Sequence, residues 1–433
     1  MSETASTAKG HAPGQHPDLP PPVSTVGVVG WLRTNLFSSW FNAILTMAAL
    51  WLLYIVIPPL ANWIFLDADW AGDSREDCSR VGACWVFIKV WFKQLMYGRY
   101  PNVELWRINT AYLLLLAAGI LLFVPRFPWK QWVGVFLLFI YPVIAFQLFV
   151  GGDISFSVFN LLLLGAVVLG VVLRLRPGAQ SQPWVATFNR VFPFALAIIV
   201  LWWLFAPSLG VVTIASFEFI ETPLWGGLFL TLVIAVVGIV ASLPIGIVLA
   251  LGRRSKMPII KAICVAFIEL WRGVPLITVL FMASVMFPLF MPEGVNFDKL
   301  LRALIGVMLF SAAYMAEVVR GGLQAIPKGQ YEAAEAIGLS YWKMMGLVVL
   351  PQALKMVIPG IVNTFIGLFK DTTLVLIIGL FDFLGMAQLA GTNPDWLGFA
   401  VEGYVFTAFG FWIFCFGMSR YSQHLERKLH TGH

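Results

Sequence analysis

Residues 331–351 read Tyr-Glu-Ala-Ala-Glu-Ala-Ile-Gly-Leu-Ser-Tyr-Trp-Lys-Met-Met-Gly-Leu-Val-Val-Leu-Pro, the longest run of mixed polar and apolar residues in a hydrophobic C-terminal half. Alanine and glutamate dominate Glu332 to Ile337, and both favour the helix, so a short helix is expected there. Gly338 reads as its stop, and Leu339-Ser340 as the start of a second short helix. Pro351 has no backbone N–H to donate and suits the first turn of the helix that follows. The pattern predicts two short helices hinged at a glycine, outside the membrane between two spanning segments. Another protein can grip such a shape.

The flanking sequence defines the class. The chain has 433 residues, 60% hydrophobic and 12% charged, against about 25% charged for a soluble chain. Several apolar stretches reach the roughly 20 residues that cross a bilayer. We expect an all-α polytopic membrane protein with about ten transmembrane helices, at 40–58, 109–125, 132–150, 155–173, 192–208, 226–251, 264–290, 300–319, 352–369 and 400–419. The apolar stretch 371–386 is short and reads as a re-entrant or second half-helix. The net charge of +6 comes from basic residues dispersed at the ends of the spans. That placement reflects membrane topology and gives no nucleic-acid footprint.

Lys and Arg set the expected orientation. One set of connections holds Arg126, Lys130, Arg174, Arg176, Arg190, Arg253, Arg254, Lys256, Lys261, Arg320, Lys328 and Lys343. The alternate set, 151–154, 209–225, 291–298 and 387–399, holds none. The first set is therefore cytoplasmic, as are both termini, which places 332–351 in the cytoplasm. Met1 to Ser24 lacks the apolar centre of a signal peptide and reads as a polar tail.

The 59–108 loop falls on the outer side with six basic and six acidic residues; long loops obey the charge rule weakly. Within it, Trp85 to Met96 predicts an amphipathic helix lying in the interface. Cys78 and Cys84 in the same loop either close a small disulfide, if that side is oxidising, or stay free. Cys264 and Cys415 fall inside spans and read as small core residues. The expected division is a tail at 1–39, a membrane extension at 40–215, a core at 216–425 and a tail at 426–433.

Two pairs of charges stand three residues apart in or near spans, Glu317 with Arg320 and Glu269 with Arg272. On a helix each pair shares a face, so structural ion pairs are expected. Lys370 and Asp371 are adjacent and point about 100° apart on a helix, so they do not pair closely. With Thr372 and Thr373 they read either as a ligand site where a half-helix breaks or as a charge cluster stabilising that break. No Gly-Lys dipeptide occurs, so the chain has no P-loop. No cofactor and no metal site are expected on this chain.

In identity and spacing, Glu332, Ala333, Ala334, Gly338, Leu350 and Pro351 resemble the cytoplasmic loop of ATP-binding-cassette importer permeases, with Val348 where isoleucine is usual. Three more clusters resemble the polar amino-acid branch, the histidine, glutamine, arginine and opine class. These are Glu269-Leu-Trp-Arg272-Gly273-Val-Pro275-Leu276, then Ala312 to Gly322 running on into Ile326-Pro327-Lys328-Gly329-Gln330, then Lys370-Asp371-Thr372-Thr373-Leu374. Val28 to Ser39, the Cys78–Cys84 region with Trp85, and Tyr97-Gly-Arg-Tyr-Pro101 resemble an extended permease subunit of the general L-amino-acid system.

The resemblance implies a C-terminal core of about five spans, the type I importer permease core, with a coupling loop at 320–351 that docks on an ATPase subunit. It implies a homologous permease partner in a heterodimer, two cytoplasmic ATPase subunits that hydrolyse ATP, a periplasmic substrate-binding protein, and an amino-acid substrate, in a bacterial inner membrane. In that picture Glu332 caps the coupling helix, Ala333 and Ala334 keep it thin, and Gly338 permits the hinge. Two other classes stand beside it. An ion-coupled secondary transporter predicts ionisable residues near mid-span in several helices. A non-transporting membrane sensor needs no coupling loop.

Overall fold

The computed structural model describes residues 27–124, 127–157, 187, 191, 211–292 and 297–429. Contacts divide the chain into two compact units, Met1–Lys89 and Val90–His433.

In the first unit, α1 (Gly27–Asn35) is followed by α2 (Trp40–Ala61), whose start is capped by the Ser39 hydroxyl accepting from Asn42 N–H at 3.2 Å. No residue of α2 is buried, and its surface is apolar all round, as a lipid-facing span requires. The helix runs on as a π-helical turn, Asn62–Leu66, giving a candidate span of 27 residues. Beyond it Cys78 and Cys84 are joined by a disulfide. Trp85 stacks on Trp70 with ring centres 5.7 Å apart and donates to the Ile64 carbonyl at 2.8 Å. Here α3 (Trp85–Tyr97) begins, crossing into the second unit. The expected interfacial helix is present, but Val86, Phe87, Ile88 and Leu95 are buried in protein. Val90 and Phe92 of the same helix stay exposed.

The second unit opens with α4 (Leu105–Phe123), α5 (Lys130–Val135) and α6 (Tyr141–Val150), the last two bent by 40°. Two short strands then pair antiparallel, β1 (Gly152–Ser157) with β2 (Val211–Phe217), from Gly152↔Phe217 to Ser157↔Val211 with an irregularity at Ile154/Ser155. The expected span 155–173 thus begins as strand. The alternation Asp-Ile-Ser-Phe-Ser is the period-two signal that its hydrophobicity masked. The rest of that span, and the span expected at 192–208, lie outside the described residues.

The helices that follow are α7 (Gly227–Arg253), α8 (Pro258–Gly273), α9 (Leu276–Phe281), α10 (Lys299–Ala325), α11 (Lys328–Ala336), α12 (Tyr341–Met344), α13 (Leu350–Met356), α14 (Ile358–Asp371), α15 (Phe383–Gly391) and α16 (Ala400–Leu429). Six described helical segments are long and apolar enough to cross a membrane, or up to eight if each bent pair is one span.

Two expected spans are broken. The 264–290 stretch bends by 101° between α8 and the helical run that starts at Leu276, because Val274 is extended and Pro275 caps the next helix. The 352–369 stretch divides at Val357, ahead of Pro359. The last helix continues to Leu429, into the tail expected from 426.

The packing of α7 on α10 is the most extensive between helices, and small residues allow it. A side chain added at Gly246 would meet Met315 at 2.8 Å, and one at Gly238 would meet Val307 at 3.2 Å; Ala312, Ala313 and Ala316 of α10 are fully buried. A second region is aromatic. Phe149 of α6 meets Phe229 of α7 edge-on at 4.8 Å, and Trp225 lies 5.0 Å from Phe229. Ile108, Ala111 and Tyr141 join the same core, which is why α4 and α6 cluster with the C-terminal helices.

Arg107 is 0% exposed within this core. Its Nε donates to the Leu148 carbonyl at 2.7 Å and its Nη1 to the Glu218 carbonyl at 2.9 Å. Glu104 lies 3.4 Å away. A buried charge held this way staples α4 to the end of α6 and to the segment after β2.

Candidate functional site

The segment after α10 is built as two short helices. Pro327 precedes α11, its ring suiting the helix start, and no side chain caps it. The helix ends in a Schellman motif: Gly338 N–H donates to Glu335 O at 2.9 Å and Leu339 N–H to Ala334 O at 3.1 Å. Gly338 takes a φ of +76°, which a residue with a Cβ adopts only with strain. Ser340 precedes α12, a π-helical turn Met345–Val349 follows, and Pro351 sits in the first turn of α13.

This hairpin has two faces. Ala334 is 3% exposed and joins Met344, Met345, Val349 and Ala353 against Ala316, Val319 and Leu323 of α10. The other face carries Glu332, Ala333, Glu335 and Ala336, with Ile337 at 74%, Trp342 at 73% and Leu347 at 71% exposure. Exposed apolar side chains rimmed by carboxylates mark a surface that binds something. Two residue roles expected above change. Glu332 stands in the middle of α11, so it does not cap it. Ala333 faces out while Ala334 faces the chain's own core, because neighbours on a helix point about 100° apart. Leu350 is half-buried and Pro351 exposed.

Behind the hairpin lies a charged junction. Glu317 of α10 is the hub, with its side chain 14% exposed. Its Oε2 accepts from Arg320 Nε at 2.9 Å and Nη2 at 2.7 Å, and its Oε1 accepts from Arg253 Nη1 at 2.8 Å. Arg253 reaches Glu269 of α8 at 2.9 Å. Arg272 lies 3.7 Å from Glu317 and over the Tyr314 ring at 5.6 Å. The expected Glu269–Arg272 pair is therefore replaced: each finds a partner on another helix, because the packing of α7, α8 and α10 offers opposite charges at closer range. Three helices meet on one carboxylate.

Arg254 carries the junction into the hairpin. Its Nη1 donates to the Leu323 carbonyl at 2.8 Å and to the Tyr331 hydroxyl at 3.1 Å. Tyr331 in turn donates to Leu323 O at 3.2 Å, and Gln352 of α13 donates to Gln330 Oε1 of α11 at 3.0 Å. Sequence reading passed over Arg253, Arg254 and Tyr331. Their signal was two adjacent arginines at the end of a span, which reads as topology alone.

The other cluster singled out, Lys370 to Thr373, is where α14 tightens into a 3-10 helix, Thr372–Ile378. Thr372 is buried and its hydroxyl donates to Phe369 O at 2.8 Å; Thr373 donates to Lys370 O at 2.9 Å. Both hydroxyl hydrogens are spent on the backbone, and Lys370 is exposed. Among the described residues, no group of three His, Cys, Asp or Glu is placed to hold a metal.

A polytopic bundle whose long helices end on a two-helix hairpin with an exposed apolar and acidic face defines a membrane subunit that engages a partner. The chain belongs to the family of binding-protein-dependent transport system inner membrane components, which matches residues 242–431. It is 50% identical over 417 residues, 96% of this chain and 97% of the relative, to the inner membrane amino-acid ABC transporter permease protein YhdY of Escherichia coli K12. It is 43% identical over 431 residues, 96% of each chain, to the glutamate/glutamine/aspartate/asparagine transport system permease protein BztC of Rhodobacter capsulatus. The L-cystine transport system permease protein TcyB of Bacillus subtilis matches at 32% over 228 residues, 95% of its own length but 52% of this chain.

Proposed function

We propose that this chain is the membrane subunit of an ATP-driven, binding-protein-dependent importer of L-amino acids with broad specificity. The observation that carries the reading is the hairpin: an exposed face of Glu332, Glu335, Ile337 and Trp342 on a frame bolted to α10 through Ala334, and to α7 through Arg254 and Tyr331. The names of the relatives, all amino-acid permeases, support the cargo.

In the proposed mechanism an ATPase subunit seats on α11 and α12, and ATP is hydrolysed there. Closure of two such subunits pulls the hairpin. The pull passes through Arg254 to α7 and through the Glu317 junction to α8 and α10, switching the path from inward-open to outward-open. A homologous permease pairs with this chain as a heterodimer, and a binding protein delivers substrate from the periplasm. Both termini lie in the cytoplasm, residues 216–425 act as the permease core, and 40–215 form an added extension.

Uptake of radiolabelled L-amino acids by cells with and without the gene tests the reading, with ATP held constant and an uncoupler added. Uptake that survives uncoupling and is competed by many L-amino acids is the expected result. Loss on uncoupling alone makes the protein an ion-coupled carrier, and no gene-dependent uptake makes it a non-transporting protein. Glu332→Arg is expected to reduce co-purification of the ATPase. Intact recruitment and uptake in that variant would falsify the docking face.

A further inference from the structure

The last helix, α16, carries two aromatic faces with opposite surroundings. On one, Phe411 and Phe414 each meet the Phe369 ring of α14 with centres 5.3 Å apart, and Phe411 lies 5.9 Å from Phe383 of α15. On the other, Phe409, Trp412 and Phe416 form a ladder. The Trp412 ring stacks on Phe409 at 5.8 Å and on Phe416 at 5.0 Å, with interplanar angles of 17° and 19°. Spaced three and four residues apart, the rings share one side of the helix, and all three are exposed. Arg420 continues the ladder, its guanidinium 5.8 Å from the centre of the Phe416 ring. Arg427 follows about two turns later on the same side.

Both arginines are exposed, and among the described residues neither forms an ion pair. Glu426, the acid beside Arg427, is turned about 100° away and accepts from the Ser422 hydroxyl at 2.9 Å. The length of the face also matters. Phe409 to Arg420 measures about 16 Å along the axis, close to half of the roughly 30 Å hydrocarbon core. The ladder therefore runs the depth of one leaflet and ends on a cation. Helices that pack together in a membrane use small residues to bring their backbones close, and this face offers stacked rings instead. An apolar stripe one leaflet deep with a guanidinium at its end is complementary to an acyl chain that carries a phosphate.

We propose that this face of α16 is a binding site for an anionic phospholipid, separate from the hairpin and the Glu317 junction. The phosphate meets Arg420, Arg427 adds attraction from the headgroup layer, and one acyl chain lies along Phe416, Trp412 and Phe409. Stacking already orders the rings, and the Phe416 ring already holds Arg420, so little side-chain freedom is lost on binding. The assignment to the cytoplasmic leaflet rests on the importer reading, which puts the C-terminal end of α16 in the cytoplasm. A net negative charge on the headgroup is what the two arginines select.

The test titrates the purified full-length chain in detergent with phosphatidylglycerol or phosphatidylcholine bearing brominated acyl chains, and reads the quenching of tryptophan fluorescence. The difference between wild type and Trp412→Phe isolates the signal of Trp412, and phenylalanine keeps the ladder. Phosphatidylglycerol is expected to quench Trp412 at a half-saturating concentration lower than that of phosphatidylcholine by about fivefold or more. The double variant Arg420→Gln, Arg427→Gln is expected to lose that preference while its thermal midpoint without added lipid stays at the wild-type value. Equal quenching by the two lipids, or a preference that survives the double variant, overturns the site. Cross-linking of Trp412→Cys to a second polypeptide in native membranes also overturns it, because the face is then a protein contact. Labelling of Gln423→Cys by an impermeant maleimide in intact spheroplasts overturns the leaflet assignment. Lipid binding is read on the isolated chain and the importer reading on ATP-driven uptake, so either can fail while the other stands.

Discussion

Arg254 and Tyr331 are 77 residues apart in sequence, yet the guanidinium donates to the tyrosine hydroxyl at 3.1 Å and lies 5.7 Å from its ring centre. The contact ties the end of α7 to α11. Tyr331→Phe keeps the ring and removes the hydroxyl bonds, at an expected cost of about 0.5–1.5 kcal/mol. A double-mutant cycle with Arg254→Gln on the thermal midpoint should show coupling, because the residues touch. Uptake should fall more than stability if the contact transmits force.

Glu317 anchors three arginines from three helices. Glu317→Gln leaves them without their common charge and should destabilise the chain by about 1–3 kcal/mol. Glu269 is 55% exposed, so Glu269→Gln should cost under about 1 kcal/mol. Thermal unfolding of the two purified variants compares them directly. Equal losses would mean that Glu317 is not the hub.

Gly338 holds the left-handed corner between α11 and α12. Gly338→Val should cost about 1–2 kcal/mol of local strain. Asn tolerates that conformation better, so Gly338→Asn should retain more activity. ATPase-coupled uptake by both variants, at matched expression, ranks them.

Cys78 and Cys84 close a short loop, and their bridge should contribute about 2 kcal/mol by restricting the unfolded chain. Replacing both by serine should lower the thermal midpoint, as should a reductant. In intact spheroplasts an impermeant maleimide should label these thiols only after reduction. Labelling without reductant would show the bridge open.

Asp77 organises the turn beside that disulfide. Its carboxylate accepts from Ser74 N–H at 2.9 Å, Asp73 N–H at 3.0 Å and the Ser74 hydroxyl at 3.0 Å. Those bonds, the Ser74 N–H foremost, hold its pKa below the ordinary 3.8. A depressed carboxylate stabilises the fold fully above its unfolded value and loses that contribution as pH falls through its folded value. The turn should therefore hold at pH 5 and loosen only below 3.8. Hydrogen exchange at Asp73 and Ser74 should show that step, and Asp77→Asn should remove it.

The hairpin was readable from the sequence because its signals are local. Alanine and glutamate favour a helix, glycine takes the left-handed corner, and proline starts the next segment, whatever surrounds them. Its two faces were less readable: Ala333 and Ala334 are identical residues with opposite surroundings. The straightness of the spans was misread in two places. An apolar run looks alike whether or not Gly273-Val274-Pro275 bends it by 101°, and hydropathy carries no direction. The β1–β2 ribbon was hidden for the same reason.

The sequence by itself determined the membrane class, the absence of a P-loop, the helix stop at Gly338 and the Glu317–Arg320 pair three residues apart, since each depends on composition or near neighbours. Only the tertiary structure decided that Arg253 meets Glu317 across 64 residues, that Arg107 is buried, and that Phe411 and Phe414 meet Phe369 while Phe409 and Phe416 stay exposed. Such contacts depend on which helix faces which. That choice is settled by packing over the whole unit, where small residues such as Gly238 and Gly246 let backbones approach and larger ones hold them apart.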